Sequence, residues 1–380
     1  MTVDFSLSEE QELLRREVRR FAEERIRPGL RERDVRHEFP AAIVAEMAEM
    51  GLLGMLVPER YDGGGQDPLS YCLAIEELSR VCPSVGITVS VTNSVCCWPI
   101  ARFGTEEVKR LVLAELAGGA LGGFALTEPG SGSDAGSMRA TARRDGDDWV
   151  LDGEKAWITN AGVARWFVAF AKNDPAAGKR GISAFVVPAS APGLRIGASE
   201  EKLGLRASVT AGIVFEGCRV PASNLLGEVG QGFKIALATL DHSRLGVAAQ
   251  AVGIHQRALE LAIAYARERV QFGVPIAEHQ AVRFTLARMA TELAAARALL
   301  WRAALAEHER DGGRLASEAK AFASEAANRG CWDALQVHGG NGFSEEYEIA
   351  RLYRDVRVTT IYEGTSEMQR LVIARSLRGA

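Results

Sequence analysis

Two segments of the sequence combine residue types that can hold a ligand and move a proton. Residues 127–134, TEPGSGSD, are small and polar, and their glycines leave backbone N–H groups open to a polar cofactor. Residues 361–367, IYEGTSE, set the carboxylate of Glu363 beside Gly364, where a ligand can approach the backbone closely. If the fold buries Glu363, the loss of hydration raises its pKa toward the range of a general base. We therefore expect a folded site that brings the two distant segments together.

Simpler structural interpretations exist for each of these features. The GSG stretch is equally an ordinary turn, and a Rossmann fingerprint is rejected because no βαβ unit surrounds it. A lone glutamate such as Glu363 is usually solvated. The glycine cluster at residues 338–342 is either a helix C-cap with a turn or backbone that lies against a ligand. No histidine or cysteine stands at the spacing of a metal site, and there is no GxSxG, Walker A or HExxH motif.

Composition excludes several classes of protein. The chain has 380 residues, of which 47% are hydrophobic, so two or three domains with sizeable cores are expected rather than disorder. The formal net charge of -4 gives no basic surface for nucleic acid. No apolar stretch is expected to reach the ~18 residues of a membrane span, and the N-terminus lacks the pattern of a secretion signal. The six cysteines show no CxxC pair, which predicts free thiols in a reducing compartment, the cytoplasm.

The periodicity of apolar residues divides the chain into three regions. We interpret residues 1–120 as an N-terminal helical domain and residues 121–230 as a middle β-barrel or sandwich domain. Residues 231–380 have the pattern of an antiparallel helical bundle. The predicted fold class is therefore α+β with several domains.

Local signals place individual elements within these regions. Ser8 and Gln11 fit a capping box at the start of the first helix. A second helix is expected over residues 40–50, with Gly51 as its C-cap. In the middle region, residues 149–159 are interpreted as two strands around an Asp-Gly turn.

Six segments in order resemble the acyl-CoA dehydrogenase family over essentially the whole chain, most closely its short-chain, butyryl-type members. The segments are FALTEPGSGSD at 124–134, WITN at 157–160, RVQFG at 269–273, HQ at 279–280, QVHGGNG at 336–342 and YEGTSE at 362–367. The resemblance implies an N-terminal helical domain, a β-domain and a C-terminal four-helix bundle. It also implies FAD as cofactor and a homotetramer built as a dimer of dimers.

The resemblance assigns roles to particular residues. Those expected along the flavin are Phe124, Leu126, Thr127, Gly132, Ser133, Trp157, Ile158 and Thr159, with Thr159 near flavin N5. Those expected to reach the FAD of a neighbouring subunit are Arg269, Gln271, Phe272, Gln336, Val337, Gly339 and Gly340, and Gln280 is a further expected cofactor-binding residue. Thr365 and Glu367 would hold the dinucleotide part, and the substrate would meet Ser133, Asp241, Ser243, Arg244 and Gly364.

By the same resemblance, Glu363 is the catalytic base in the α,β-dehydrogenation of an acyl-CoA to the trans-2-enoyl-CoA. It removes the α-proton while the β-hydrogen leaves as hydride to flavin N5. The backbone N–H of the base and a flavin ribityl hydroxyl would stabilise the developing enolate. Some members carry the base at the position of Ser243, but serine cannot take that role. Glutamate in place of aspartate favours a thioester over a nitroalkane substrate.

The expected substrate is a short- to medium-chain acyl-CoA, straight or branched. Residues 84–97, which should help line the acyl pocket, carry no Arg or Lys for a dicarboxylic acyl group. Trp98, Cys96 and Cys97 either crowd this pocket or pack in the core. The expected electron acceptor is an electron-transferring flavoprotein, in fatty-acid β-oxidation, with no nucleic-acid or membrane partner. Two alternatives stay open: an oxygen-reacting flavoenzyme of the same fold, such as an acyl-CoA oxidase, and a helical oligomer that binds CoA esters or nucleic acid without turnover.

Overall fold

The computed structural model describes residues 6–307 and 309–378. Along the chain, a set of helices comes first, then an eight-stranded sheet and then a second set of helices. This order confirms the α+β fold class expected from the sequence. The domain boundaries near residues 120 and 230 stay a prediction.

The N-terminal helices begin where the sequence signals place them. Gln11 N–H donates to Ser8 Oγ at 3.2 Å and Ser8 N–H donates to Gln11 Oε1 at 3.1 Å, which confirms the capping box. The helix expected over residues 40–50 is present, and Gly51 follows it with a φ of 74°. The α-helices of this region are α1 (Glu9–Phe21), α2 (Leu30–Arg36), α3 (Ala41–Glu49), α4 (Pro68–Val81), α5 (Pro83–Val91), α6 (Trp98–Phe103), α7 (Glu106–Val108) and α8 (Ala114–Ala117).

The helical run Pro83–Phe103 corrects one expectation. It contains α5, α6 and the π-helical stretch Thr92–Cys97 between them, and it is long and apolar enough by composition to cross a membrane. The expectation that no stretch reaches this length was therefore wrong. Of its most apolar window, 89% is buried inside the protein, which is typical of the core helix of a globular protein. Cys96 and Cys97 lie in an apolar cluster with residues of the sheet, so core packing accounts for both.

The middle region forms one mixed, largely antiparallel sheet. Its strands are β1 (Gly122–Ala125), β2 (Thr141–Asp145), β3 (Asp148–Thr159), β4 (Trp166–Lys172), β5 (Ile182–Pro188), β6 (Leu194–Ser199), β7 (Thr210–Pro221) and β8 (Leu225–Leu226). Their order is β6-β7-β3-β2-β4-β5-β8, and β1 pairs in parallel with β4. One face encloses a core that includes Leu151, Phe167, Phe185 and Phe215. The sheet therefore curls around its own apolar side chains.

The prediction of two strands within residues 149–159 was wrong, because β3 runs unbroken through them. The Asp-Gly pair at Gly153 is a β-bulge, where the register against β7 shifts. Its φ of 133° and its close approach to Ala140 require glycine. The hairpin turn instead uses the preceding Asp-Gly pair, at Gly146, between β2 and β3. Both pairs match the turn signal, and only the strand pairing distinguishes them.

The C-terminal region is a bundle of long helices. Its elements are α9 (Gly232–Glu268), a short hairpin of β9 (Val270–Gln271) and β10 (Val274–Pro275), α10 (Gln280–Leu305), α11 (Gly312–His338), α12 (Glu348–Val356) and α13 (Ser366–Arg378). Helices α9, α10 and α11 pack against one another and α13 packs against α11, which gives the expected four-helix bundle. Helix α4 packs against α9, and buried residues of α4, α9, α10 and α11 share one apolar core. Helices α9 and α11 both contact the loop that carries Glu363, through Gln250 and Lys320.

Candidate active site

The loop that carries Glu363 joins a 3-10 turn, Arg357–Thr360, to helix α13. Glu363 has a φ of 52°, a left-handed conformation that costs an L-residue about 1–3 kcal/mol. The side-chain Nε2 of Gln369 donates to the carbonyls of Gly364 at 2.9 Å and of Glu363 at 3.4 Å. The phenol of Tyr362 donates to Gln250 on α9. These bonds hold the loop in its strained shape.

The carboxyl group of Glu363 is buried, although the residue as a whole is partly exposed. Its Oε2 has no contact with solvent and no hydrogen-bond partner. Burial raises the pKa of Glu363 to about 7, against the lowering effects of a hydrogen bond from Ser243 and of the Lys320 and Arg244 charges. A carboxyl group with this pKa can remove a proton at neutral pH.

Two cations lie close to Glu363. Lys320 on α11 is buried, its Nζ donates to the Gly364 carbonyl at 2.6 Å, and burial lowers the pKa of its ammonium to about 8. Arg244 on α9 donates to Asp241 and, at 2.9 Å, to Ser317 Oγ. Burial also lowers the pKa of Arg244. Sequence reasoning expected Arg244 and Asp241 at the site but missed Lys320, because a lysine within a long helix carries no local signal.

Strand β1 and the end of β3 carry the residues expected along a flavin. The N–H of Ala156 donates to the Thr127 carbonyl at 2.9 Å and so ties the loop after β1 to β3. Trp157 has a φ of 62° and is 61% exposed, which is unusual for a large aromatic residue at the end of a strand. Phe124 packs in a small apolar cluster with Tyr362. The structure therefore brings the first expected segment to the loop of the base.

The surface around this strand fits a polar, flat cofactor such as FAD. Gly132 and Ser133 are exposed, and a Cβ added at Gly132 would meet no atom within 4 Å. Leu126 and Ile158 are buried in apolar clusters, so only their backbone groups can reach a ligand. The buried Oγ of Ser366, at the start of α13, has no hydrogen-bond partner, and a polar ligand group can supply one.

A buried ion pair that sequence reasoning missed fixes the TEPGSGSD loop. Lys155 Nζ lies 2.8 Å from Glu128 Oε1 and donates to the Leu126 carbonyl at 3.2 Å. The carboxylate of Glu128 also accepts the N–H groups of Arg139 and Ala140. Burial opposes ionisation of Glu128, yet the Lys155 ammonium and the two N–H groups lower its pKa overall. The buried pair therefore fixes the backbone on both sides of the loop through hydrogen bonds to Leu126, Arg139 and Ala140.

The second set of expected cofactor residues lies at the other end of the bundle. These residues, all exposed or half-buried, are Arg269, Gln271, Phe272, Gln280, Gln336, Val337, Gly339 and Gly340. Arg269 follows α9, whereas Ser243 lies near its start, and the rise of an α-helix separates them by about 39 Å. Within one chain, this set is therefore not brought to Glu363. Thr365 and Glu367 flank the start of α13, with Thr365 half-buried and Glu367 exposed.

An open groove of about 440 Å³ lies beside the start of α9. Its lining includes the cations Lys179, Arg180 and Lys234, together with Phe233 and Asp241. Asp241 also accepts a hydrogen bond from Arg244, so the groove adjoins the site of the base. Three cations around an apolar ring suit a ligand with phosphate groups. Sequence reasoning expected Asp241 here but missed the cations, which come from two regions of the chain.

Metal ligation has no support among residues 6–307 and 309–378, where no group of three or more His, Cys, Asp or Glu could hold an ion. All six cysteines are buried free thiols. The polar chemistry of the site therefore rests on one carboxyl group, two cations and an exposed loop.

Models of three protein domains match successive parts of the chain. They are the acyl-CoA dehydrogenase N-terminal domain over residues 8–120, the middle domain over residues 123–218 and the C-terminal domain over residues 230–378. The three matches follow the order of helices, sheet and bundle in the structure.

Individual relatives agree with the domain matches. The mitochondrial short-chain specific acyl-CoA dehydrogenase of Bos taurus is 50% identical over 98% of this chain and 90% of its own length. Butyryl-CoA dehydrogenase from Megasphaera elsdenii superimposes with a TM-score of 0.97 at 42% identity, over 99% of this chain and 100% of that one. A chain in a structure of the electron-transferring flavoprotein of Acidaminococcus fermentans superimposes with a TM-score of 0.97 at 44% identity, over 99% of each chain. Solved members contain FAD or FADH2. This chain therefore belongs to the acyl-CoA dehydrogenase family and is an FAD-dependent oxidoreductase.

Proposed function

We propose that the protein dehydrogenates a short- to medium-chain acyl-CoA, straight or branched, to the trans-2-enoyl-CoA, with Glu363 as the base. The observation that carries this proposal is the buried, unpartnered Oε2 of Glu363, whose pKa of about 7 suits proton removal. It lies next to Tyr362, which packs with Phe124 of the flavin strand. The proposed base and the cofactor surface thus adjoin the same apolar cluster.

The chemistry divides between the chain and its cofactor. Glu363 takes the α-proton of the thioester, and Lys320 and Arg244 offset part of the cost of its buried charge. We assign the backbone N–H of Glu363 as a donor to the thioester carbonyl, where it would stabilise the developing enolate. Bound FAD supplies the acceptor for the β-hydrogen, which leaves as hydride. The residues of the TEPGSGSD loop and of β3 would orient the ring.

The groove beside α9 supports CoA as the carrier of the acyl group. CoA brings several phosphates, and Lys179, Arg180 and Lys234 can contact them through charge-assisted hydrogen bonds. Asp241 lies between this groove and Arg244, where it could meet the pantetheine portion. A short acyl chain is supported by the identity with the bovine short-chain enzyme and by the likeness to butyryl-CoA dehydrogenase.

The electron acceptor, the assembly and the location are parts of the same proposal. We propose an electron-transferring flavoprotein as acceptor, supported by the likeness to a chain in a structure of that protein. A homotetramer is supported by the exposed residues around Phe272, which cannot reach Glu363 of their own chain. The free thiols are consistent with the cytoplasm. β-Oxidation of fatty acids would be the metabolic setting.

Replacing the base tests the reaction. Glu363→Gln keeps the shape of the side chain but cannot accept the α-proton, so it should retain FAD and lose turnover by about 10²–10⁴-fold. The measurement is anaerobic bleaching of the flavin by butyryl-CoA, with flavin content read from the visible spectrum. Glu346→Gln, at an exposed glutamate, is the matched control and should bleach normally. Near-normal bleaching by Glu363→Gln would remove Glu363 from the mechanism.

The same preparation separates dehydrogenase from oxidase chemistry. The reduced wild-type enzyme should pass electrons to an electron-transferring flavoprotein and reoxidise slowly in air. Rapid reoxidation by oxygen with release of hydrogen peroxide would favour the oxidase alternative.

A further inference from the structure

We propose that Tyr71, held by Ser90 and packed against Gly246, forms the end wall of the acyl pocket and restricts the enzyme to short, uncharged acyl chains. This inference rests on the function proposed above. It assigns a specificity-determining role to a tyrosine on α4 that sequence analysis did not single out.

The position of Tyr71 follows from helix α9. Ser243, whose hydroxyl is close enough to Glu363 to lower its pKa, and Gly246 are three residues apart, so they share one face of α9 with a rise of about 4.5 Å between them. A Cβ added at Gly246 would overlap the Tyr71 hydroxyl and Ser90 Oγ. The phenol therefore lies directly on α9, about one helical turn beyond the residue that contacts the base.

Tyr71 is fixed in this position. It is completely buried, and its hydroxyl lies 2.8 Å from Ser90 Oγ. Its ring stacks on His242, with centroids 6.4 Å apart. His242 is itself held by Glu307 and by stacking on Trp98 at 4.9 Å. A side chain held on three sides cannot swing aside at low cost to admit a longer substrate.

The walls between the base and Tyr71 are apolar. Ile87 and Val91 of α5 form a cluster with Phe124 of the flavin strand and with Tyr362, next to the base. Ser90 lies between Ile87 and Val91 on the same helix, and its hydroxyl is bound to Tyr71. An acyl chain placed between the flavin strand and the base would run along these apolar side chains and meet the phenol.

The chemistry of the end wall favours an uncharged chain. It presents hydroxyl groups of Tyr71 and Ser90, and α5 carries no Arg or Lys. Burial, with a smaller contribution from the Glu363 charge, raises the pKa of Tyr71, so the phenol stays neutral. A carboxylate at the far end of a dicarboxylic acyl group would meet no cation from α5.

Shortening the side chain tests the proposal. Tyr71→Ala should raise kcat/KM for octanoyl-CoA relative to butyryl-CoA by at least tenfold, since one methylene in an apolar pocket alone can change discrimination by about 10–200-fold. Tyr71→Phe keeps the ring and is the matched control, so its ratio should stay close to that of the wild type. The measurement is stopped-flow flavin reduction by the two substrates, with the purified holoenzyme.

Removal of a large buried ring can impair folding, so a second variant is needed. Tyr71→Val leaves more of the volume filled and should show the same change in ratio to a smaller extent. A folded, FAD-loaded Tyr71→Val or Tyr71→Ala enzyme with an unchanged ratio of kcat/KM for octanoyl-CoA to that for butyryl-CoA would overturn the role of Tyr71. Equally fast reduction of the wild-type flavin by the two substrates would overturn it as well. If no acyl-CoA bleaches the wild-type flavin, the proposed function itself is wrong. Bleaching of the wild-type flavin by butyryl-CoA but not by octanoyl-CoA supports both the proposed function and the role of Tyr71.

Discussion

At the scale of the residue, Glu363 is held in two unfavourable states at once. Its backbone has a positive φ and its carboxyl group is buried without a partner at Oε2. Each state persists because surrounding groups compensate for it. Gln369 and Lys320 bind the carbonyls of the loop, and the charges of Lys320 and Arg244 lie near the carboxyl group. Such clustering of backbone strain and a shifted pKa is typical of a catalytic site.

The charge of Lys320 should affect the pH at which kcat rises. Only the deprotonated form of Glu363 accepts a proton, so kcat should rise as the pH passes through about 7. The Lys320 and Arg244 charges and the Ser243 hydrogen bond lower this pKa against burial. Lys320→Met removes one of these charges, so the profile should move to higher pH while Arg244 and Ser243 still act. The measurement is kcat for butyryl-CoA between about pH 5.5 and 9.

A variant with merely damaged packing would lower kcat at every pH without moving the profile. Lys109→Met is the matched control. Lys109 pairs with Glu106 in the N-terminal region, remote in sequence from Lys320, so this variant should leave the pH profile of kcat in place. A Lys320→Met profile that is unmoved, or moved to lower pH, would contradict the electrostatic role.

At the scale of the element, helix α9 connects the two ends of the molecule. Its third and fourth turns carry Asp241, Ser243 and Arg244, and its last residue precedes the β9-β10 hairpin. Helix α4 fixes its position through close backbone packing at Gly253 and through an ion pair of Arg80 with Glu260, 2.9 Å apart. The spacing between α4 and α9 therefore sets both the proposed acyl pocket and the bundle.

The close approach at Gly253 predicts a loss of stability on substitution. In Gly253→Ala the new Cβ would overlap the Glu76 carbonyl and lie 2.9 Å from Arg80 N, and neither backbone atom can rotate away. We expect a destabilisation of about 1–3 kcal/mol and a lower Tm. Gly313→Ala on α11 is the matched control, because its Cβ would meet only the Asp241 side chain, at 3.1 Å. Equal Tm values for the two variants, by differential scanning calorimetry, would contradict this packing argument.

At the scale of the whole molecule, apolar side chains are exposed at the hairpin end of the bundle. Phe272 is 95% exposed and Phe343 is 87% exposed, and Phe284 and Trp332 are more than half exposed. The hairpin, the start of α10 and the end of α11 bring these residues to the same end. A group of large apolar side chains exposed at one end of a protein is typical of a site of association. The expected contacts of Arg269 and Gln336 with a neighbouring FAD lie in the same region.

Substitution at this end should change assembly and cofactor content together. Phe272→Ser removes the most exposed ring, so we expect a smaller assembly and a lower ratio of FAD to protein, with the fold of each chain preserved. The measurements are sedimentation velocity and the visible spectrum of the purified protein. Leu111→Ser, at an exposed leucine of the N-terminal region, is the control and should change neither. A Phe272→Ser protein with wild-type mass and full FAD would show that this end is not the interface.

Much of the architecture follows from local sequence. Ser8 with Gln11 fixes a helix start, and Gly51 fixes a helix end, because caps depend on a few adjacent residues. The Asp-Gly pair at Gly153 shows the limit of such signals, since strand pairing made it a bulge and not a turn. Glu363 and the TEPGSGSD loop were singled out through motifs, because their carboxylate and glycines are the groups to which the proposed chemistry is assigned.

By itself, the sequence determined the fold class, the family and the cofactor, and it singled out Glu363 as the proposed base. Only the tertiary structure decided the pKa of Glu363, the contact of Lys320 with its loop and the placement of Tyr71 against Gly246. The physical reason is that burial and charge act through space. Lys320 and Tyr71 acquire their roles from neighbours that are remote in sequence, and a lysine or a tyrosine within a helix has no pattern that announces such a neighbour.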